Sequence, residues 1–336
     1  MKTLYYLALA LLMASEPALG STREENITVC NRTDGVSVAG TIARPENSAI
    51  KGVLILATGS GRQDRDETIM GKKPFKTLAD SLGKYGYATL RFDDRGAGES
   101  GGKFETATAA TYLEDMKYML SAADSIFPNM PVGILGHSEG GWTAIQGSQD
   151  ERCNFIVTLA APAWPGDSLI MSQTRAIATA ATGRWDKEST QRRILDICMQ
   201  QLPRSIIKMQ LMSALNEESG EAAKIPDVQK QISATVEVMT SDHYREMLVY
   251  NPAKDISNVG KPWLALNGSI DMQVLPENLG TIEELNQTAS TVLLPGHNHL
   301  FQKGRTGLIN EYPVLDGDIS GECIQTIVEW LDKTLR

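Results

Sequence analysis

The sequence predicts an α/β architecture, a mostly parallel sheet with helices on both faces, and two observations carry that expectation. Short unbroken apolar runs recur along the chain, each closed by Gly, Pro or Asp, as strands covered on both faces require. Segments with apolar residues at helical spacing separate these runs, and strand–helix alternation of this kind builds parallel sheets.

The elements follow in order. Ile27 to Cys30 and Val36 to Ile42 flank Asp34-Gly35, the turn signal of a β-hairpin. Val53 to Ala57 is an apolar run that ends in Gly59-Ser60-Gly61. Phe75, Leu78, Ala79 and Leu82 have helical spacing, and Tyr87 to Phe92 is the next strand, closed by Asp93-Asp94-Arg95-Gly96. Tyr112, Leu113, Met116 and Leu120 share a helix face. Val132 to Leu135 is a strand followed by Gly136 to Gly141 and a helix, and Phe155 to Ala160 is a strand that ends at Pro162. From Ala163 to Tyr250 no strand pattern appears, and Ile194, Leu195 and Cys198, then Ile207, Leu211 and Leu215, mark helix faces. The strand rhythm resumes at Pro262 to Leu266 and Thr291 to Leu294, and an amphipathic helix runs from Ile324 to Leu335. Resumption of an unchanged sheet pattern makes residues 163–250 an inserted helical cap, with the core built from residues 21–162 and 251–336.

Residues 1–20 stand outside this pattern. Lys2, the apolar run Leu4 to Met13 and the small-x-small end Ala18-Leu19-Gly20 read as a cleavable export signal. The run falls short of the roughly 20 residues a membrane span needs. The expected product is periplasmic or secreted, without stable membrane insertion after cleavage. A net charge of −9 argues against a nucleic-acid partner, which would select clustered Lys and Arg. Cys30, Cys153, Cys198 and Cys323 are scattered without metal-ligand spacing. Export permits their pairing, and both one disulfide and none stay open, as does the oligomeric state.

Gly136-His137-Ser138-Glu139-Gly140 matches G-x-S-x-G between a strand and a helix. In α/β-hydrolase folds this turn is a nucleophile elbow, so sharp that its flanking positions admit no Cβ, and it lifts the serine hydroxyl clear of the sheet. A serine needs a base. His137 on the elbow points elsewhere and packs beneath the turn, and His243 belongs to the cap as a surface or lid residue. His297 and His299 both follow the last strand, and alternation does not choose between them. The chain order serine, acid, histidine places the acid after the penultimate strand, at Asp271, ahead of the weaker candidate Asp255. Oxyanion donors are expected at the backbone N–H of Glu139 and, from the glycine-rich loop, of Ser60.

Gly59-Ser60-Gly61 with Gln63-Asp64-Arg65-Asp66-Glu67, Asp93-Asp94-Arg95-Gly96 with Gly98 and Ser100, Gly136 to Gly141, and Asn298-His299-Leu300-Phe301-Gln302 together resemble the bacterial α/β-hydrolase carboxylesterases related to the serine aminopeptidase and dienelactone-hydrolase-like groups. The resemblance covers nearly all of the chain after residue 20, more loosely in the cap. It departs from many hydrolases at Thr58, where they carry His. It implies that His299, in its Asn-His-Leu-Phe setting, is the base. It also implies a small acyl ester as substrate, a cap that shapes the acyl pocket, and no metal or cofactor. A serine aminopeptidase or amidase on the same residues is the alternative, with Glu217, Glu218 and Glu221 as acids within the insertion, although these read as a solvated helix face. A binding protein that kept the fold without the chemistry is a third reading. Trp164, Met171, Trp185 and Met212 are expected to fill the cap core rather than line a pocket.

Overall fold

The computed structural model describes residues 21–336. The expected export signal lies outside the described residues. Strands β1 (Thr22–Cys30) and β2 (Ser37–Pro45) form the hairpin, followed by β3 (Gly52–Ala57), α1 (Pro74–Lys84), β4 (Tyr87–Phe92), α2 (Ala109–Ile126), β5 (Val132–His137), α3 (Glu139–Gly147) and β6 (Phe155–Leu159). Helices α4 (Gly166–Thr182), α5 (Glu188–Met199), α6 (Arg204–Ser219), α7 (Pro226–Met239) and α8 (Asp242–Val249) intervene before α9 (Ala253–Ser257), β7 (Trp263–Gly268), α10 (Glu277–Leu285), β8 (Ser290–Leu294) and α11 (Gly321–Thr334). Among the described residues eight strands form one sheet in the order β1-β2-β4-β3-β5-β6-β7-β8. The hairpin is antiparallel and β2 pairs antiparallel with β4, whereas β4 and β3 through β8 run parallel.

Every residue of β3, β4, β5 and β7 is buried, because helices cover both faces. Val53 and Ile55 point to the layer of α2, α3 and α10, where Met116, Leu120, Ile145 and Ile282 pack. Leu54 and Leu56 point to the other layer, against Leu78 and Leu82 of α1 and Ile327 and Leu331 of α11. Strand β1 begins at Thr22, five residues before the apolar pattern suggested; its Arg23, Glu24 and Glu25 are extended only because they pair with β2. Charges on that exposed edge discourage pairing with another chain. The four cysteines are unpaired; Cys30 is exposed, and burial pushes the thiols of Cys153 and Cys198 up to about 12.

The helical insertion centres on residues 188–249, narrower than the sequence pattern indicated. Helix α4 starts within the core layer, since Leu169 belongs to the same buried cluster as Trp142 and Leu159. Helices α5 to α7 close a separate core of Ile194, Leu195, Cys198, Ile207, Leu211 and Val236. Among the described residues no helix is long and apolar enough to cross a membrane.

Two loops at the carboxyl ends of β3 and β4 are knitted by adjacent aspartates. Asp93 accepts the Arg65 backbone N–H at 2.7 Å, its guanidinium at 2.6 Å and the Glu99 N–H at 2.9 Å. A Cβ on Gly98 would lie 2.3 Å from Asp93 Oδ2, so only glycine admits the close turn. Asp94 accepts the Thr58 hydroxyl at 3.0 Å and the Gln63 N–H at 3.3 Å. Burial opposes ionisation of both, but Arg65 and the backbone N–H groups hold Asp93 below its ordinary value. Asp94 has no cation, and burial raises it well above 3.8. A carboxyl whose folded pKa exceeds its unfolded value binds its proton more tightly in the native state. Native stability therefore falls as pH rises from 3.8 through the folded value. Asp94→Asn cannot ionise, so relative to the wild type its urea midpoint is expected to gain on going from about pH 4 to about pH 8. A pH-independent difference between the two proteins would contradict this.

Candidate active site

Strand β5 ends at His137 and α3 begins at Glu139, which leaves Ser138 alone to reverse the chain. Its backbone adopts φ 52° and ψ −122°, a conformation that costs a residue with a Cβ on the order of 1–3 kcal/mol. The surroundings enforce it. A Cβ on Gly136 would fall 2.0 Å from the Gly140 carbonyl oxygen, and one on Gly140 would fall 2.2 Å from that of Ala57. Ser138 N–H donates to the Leu159 carbonyl at 2.8 Å, which fastens the turn to β6. Glu139 opens α3, so its N–H has no partner within the helix.

The loops after β7 and β8 meet beside this turn. Gly268 carries β7 into the first loop, and a Cβ there would lie 2.2 Å from the His297 carbonyl oxygen. The close approach brings His299 Nδ1 to 2.8 Å from Asp271 Oδ2. The other carboxylate oxygen of Asp271 accepts the N–H groups of Gln273 at 2.8 Å and Val274 at 3.0 Å, so the carboxylate cannot turn away. An acceptor at Nδ1 puts the ring proton there, and neutral His299 presents a lone pair on Nε2. His297 is occupied otherwise. Ser320 Oγ accepts the Cys323 N–H at the start of α11 and lies 2.8 Å from His297 Nε2, and His297 Nδ1 lies 3.0 Å from the Pro295 carbonyl. Burial lowers the pKa of His297, consistent with a neutral ring that ties the loop to α11. The structure thus distinguishes two histidines that local alternation left equivalent.

Beneath the elbow His137 is buried and hydrogen-bonded, as its position on the turn implied. Its partners are Glu67 Oε1 at 2.8 Å and the His299 carbonyl at 2.9 Å. Glu67 also accepts the Gly59 N–H at 2.6 Å. Sequence reasoning assigned Glu67 no role. Ser60 follows on the same loop with its side chain exposed, and its N–H has no acceptor among the described residues.

A cavity of about 680 Å³ opens beside the elbow, bounded by the loop Thr58 to Gly61, the first turns of α3, Tyr112 of α2, and His243 and Tyr250 at α8. Of the two readings of His243, surface or lid, the second fits: the residue lies on the insertion, is largely buried and lines the cavity. Its Nε2 lies 2.8 Å from Glu139 Oε1, and this contact joins the insertion to the residue after Ser138. Burial lowers the His243 pKa, but Glu139 outweighs it and the net shift is upward. Asp255, the weaker acid candidate, accepts the Tyr250 hydroxyl at 2.6 Å instead of meeting a histidine. Trp164, Met171, Trp185 and Met272 line an open cleft of about 950 Å³, so Trp164 and Trp185 do not simply fill the cap core, whereas Met171 and Met212 both pack against it. Glu217, Glu218 and Glu221 pair with Arg193, Lys187 and Lys224 away from the cavity residues. Among the described residues no group of three or more His, Cys, Asp or Glu side chains is placed to hold a metal ion.

Residues 72–286 match the family model described as serine aminopeptidase, S33, a span that includes Ser138 and Asp271 and ends before His299. Esterase EstD of Thermotoga maritima is 28% identical over 158 residues, which is 46% of this chain and only 36% of that protein. An esterase of Pyrococcus furiosus superposes with a TM-score of 0.58 at 17% identity, covering 94% of this chain and 92% of its own. Est1E from Butyrivibrio proteoclasticus, solved with ferulic acid bound, gives 0.52 at 16% identity, covering 91% and 96%. Identities this low carry the fold alone, and the family match carries the rest: the chain belongs to the serine aminopeptidase S33 family of α/β-hydrolases.

Proposed function

We propose that this hydrolase is a serine esterase in which Ser138 attacks an ester carbonyl, His299 takes the hydroxyl proton, and Asp271 holds the imidazole in the tautomer that can accept it. The single observation that carries the reading is the His299–Asp271 hydrogen bond of 2.8 Å on loops that border the strained turn at Ser138. His299 then returns the proton to the leaving alcohol, and water, activated the same way, releases the acyl group. The N–H groups of Glu139 and Ser60 serve the oxyanion. Gly59 N–H is committed to Glu67, and the next N–H along that loop, on Ser60, is free to donate. The cavity of about 680 Å³ takes the acyl group. Export to the periplasm or beyond belongs to the same proposal and rests on residues 1–20 alone.

A second reading, cleavage of aminoacyl amides, is favoured by the description of the family. Such a substrate needs an acid for its amine. Glu139, Asp94 and Asp255 line the cavity but are engaged by His243, Thr58 and Tyr250, and Glu246 stands exposed beside them. Esters are therefore expected to be cleaved well ahead of the matching aminoacyl p-nitroanilides, and the reverse order would favour the peptidase.

Ser138→Ala is expected to reduce kcat on p-nitrophenyl acetate by about 10⁴-fold or more; turnover near the wild-type level would remove the nucleophile assignment. His299→Ala should match that loss. His297→Ala should keep most activity while lowering the melting temperature, because it cuts the tie between Pro295 and Ser320. The opposite ranking of the two histidines would transfer the base to His297.

A further inference from the structure

Glu67 and His137 lie beneath the turn at 1% and 4% exposure, and the mechanism above gives them no task. Both ring nitrogens of His137 face acceptors. Nε2 lies 2.9 Å from the His299 carbonyl oxygen, which has no proton to give. Nδ1 lies 2.8 Å from Glu67 Oε1, which already accepts the Gly59 N–H at 2.6 Å, as short as bonds to an ionised carboxylate. An imidazole between two acceptors carries a proton on each nitrogen. Burial alone would strip that second proton, and the Glu67 carboxylate is the counter-charge that retains it. The net upward shift of the His137 pKa has the same balance, with burial lowering it and Glu67 outweighing burial.

The pair also lies against the proposed catalytic base. The rings of His137 and His299 are 4.7 Å apart and inclined by 47°. Each imidazole has its own carboxylate, so the order across the site is Glu67, His137, His299, Asp271. These are the charged and titratable groups that face His137, and Asp94 lies close enough to Glu67 to feel its charge. Glu67 itself is held at φ 53°, a left-handed backbone retained by its surroundings.

We propose that Glu67 and His137 are positioning residues, a buried ion pair whose three hydrogen bonds set the oxyanion loop at Gly59, the elbow and the backbone of His299 in one mutual geometry. The pair acts through other residues and does not touch substrate. His299 becomes a second imidazolium when it takes the serine proton, and Glu67 and Asp271 then neutralise one ring each. The kinetic part of this role rests on the esterase reading, whereas the charge state of His137 does not.

Two measurements on the full-length protein separate these parts. In side-chain nitrogen NMR of the resting protein, one histidine is expected to keep both ring protons at about pH 8, above the ordinary range near 6.5, and that signal should vanish in His137→Gln. A neutral His137 at that pH overturns the proposal, whatever the protein hydrolyses. In ester hydrolysis, Glu67→Gln and the double variant Glu67→Gln/His137→Gln are expected to lower kcat by about 10- to 100-fold, with KM changed by less than about threefold. The double variant leaves no uncompensated buried charge, so it stays folded where a single variant fails. Wild-type kcat in a folded double variant overturns the proposal. If the wild type cleaves no ester, the esterase reading falls and the NMR result alone decides the charge pair.

Discussion

The reversal of β5 into α3 within one residue constrains everything around it. Ser138 pays a local strain for that geometry, and the buried strands on either side hold it, because β5 contributes a fully buried length to the middle of the sheet. The cost is small beside the apolar area those strands remove from water, at roughly 25 cal/mol per Å². From this one turn the directions of its neighbours follow. His137 is driven beneath the sheet edge, Glu139 opens a helix whose first N–H groups point outward, and the glycines at 136 and 140 let the β3 loop approach.

Polar groups then arrange themselves in two layers about the turn. Asp93 and Asp94 differ by one position in the chain, yet one is ionised against Arg65 and the other is kept towards its neutral form by burial. Both grip the loop from Thr58 to Arg65, so the motif after β4 serves the loop after β3 rather than any substrate.

Much of this was legible in the sequence because it is local. Strands β3 to β7 announce themselves as apolar runs, and a strand–turn–helix setting and chain order single out Ser138 and Asp271 as the candidates that the proposal keeps. What escaped depends on contacts between distant segments. Glu67 meets a histidine 70 positions away, and no pattern near residue 67 signals that partner. His243 reads as a surface or lid residue, and its contact with Glu139, more than a hundred positions away, has no local signal. Helix α10 buries only Asn278, Leu279 and Ile282, too few residues to show a period, and the start of β1 is extended by pairing alone. Local alternation leaves His297 and His299 equivalent, the resemblance to a family singles out His299, and the engagement of His297 by Ser320, more than twenty residues on, has no local signal.

Helices α5 to α8 enclose their own set of buried side chains, distinct from the two layers that flank the sheet. A protein built this way can renovate its roof without moving its hearth. Substitutions among Ile194, Leu211 and Val236 are absorbed within the insertion, and its polar tie to the reacting end of the molecule runs through His243. A change of packing there can thus reshape what covers the cavity while the two layers on the sheet keep theirs.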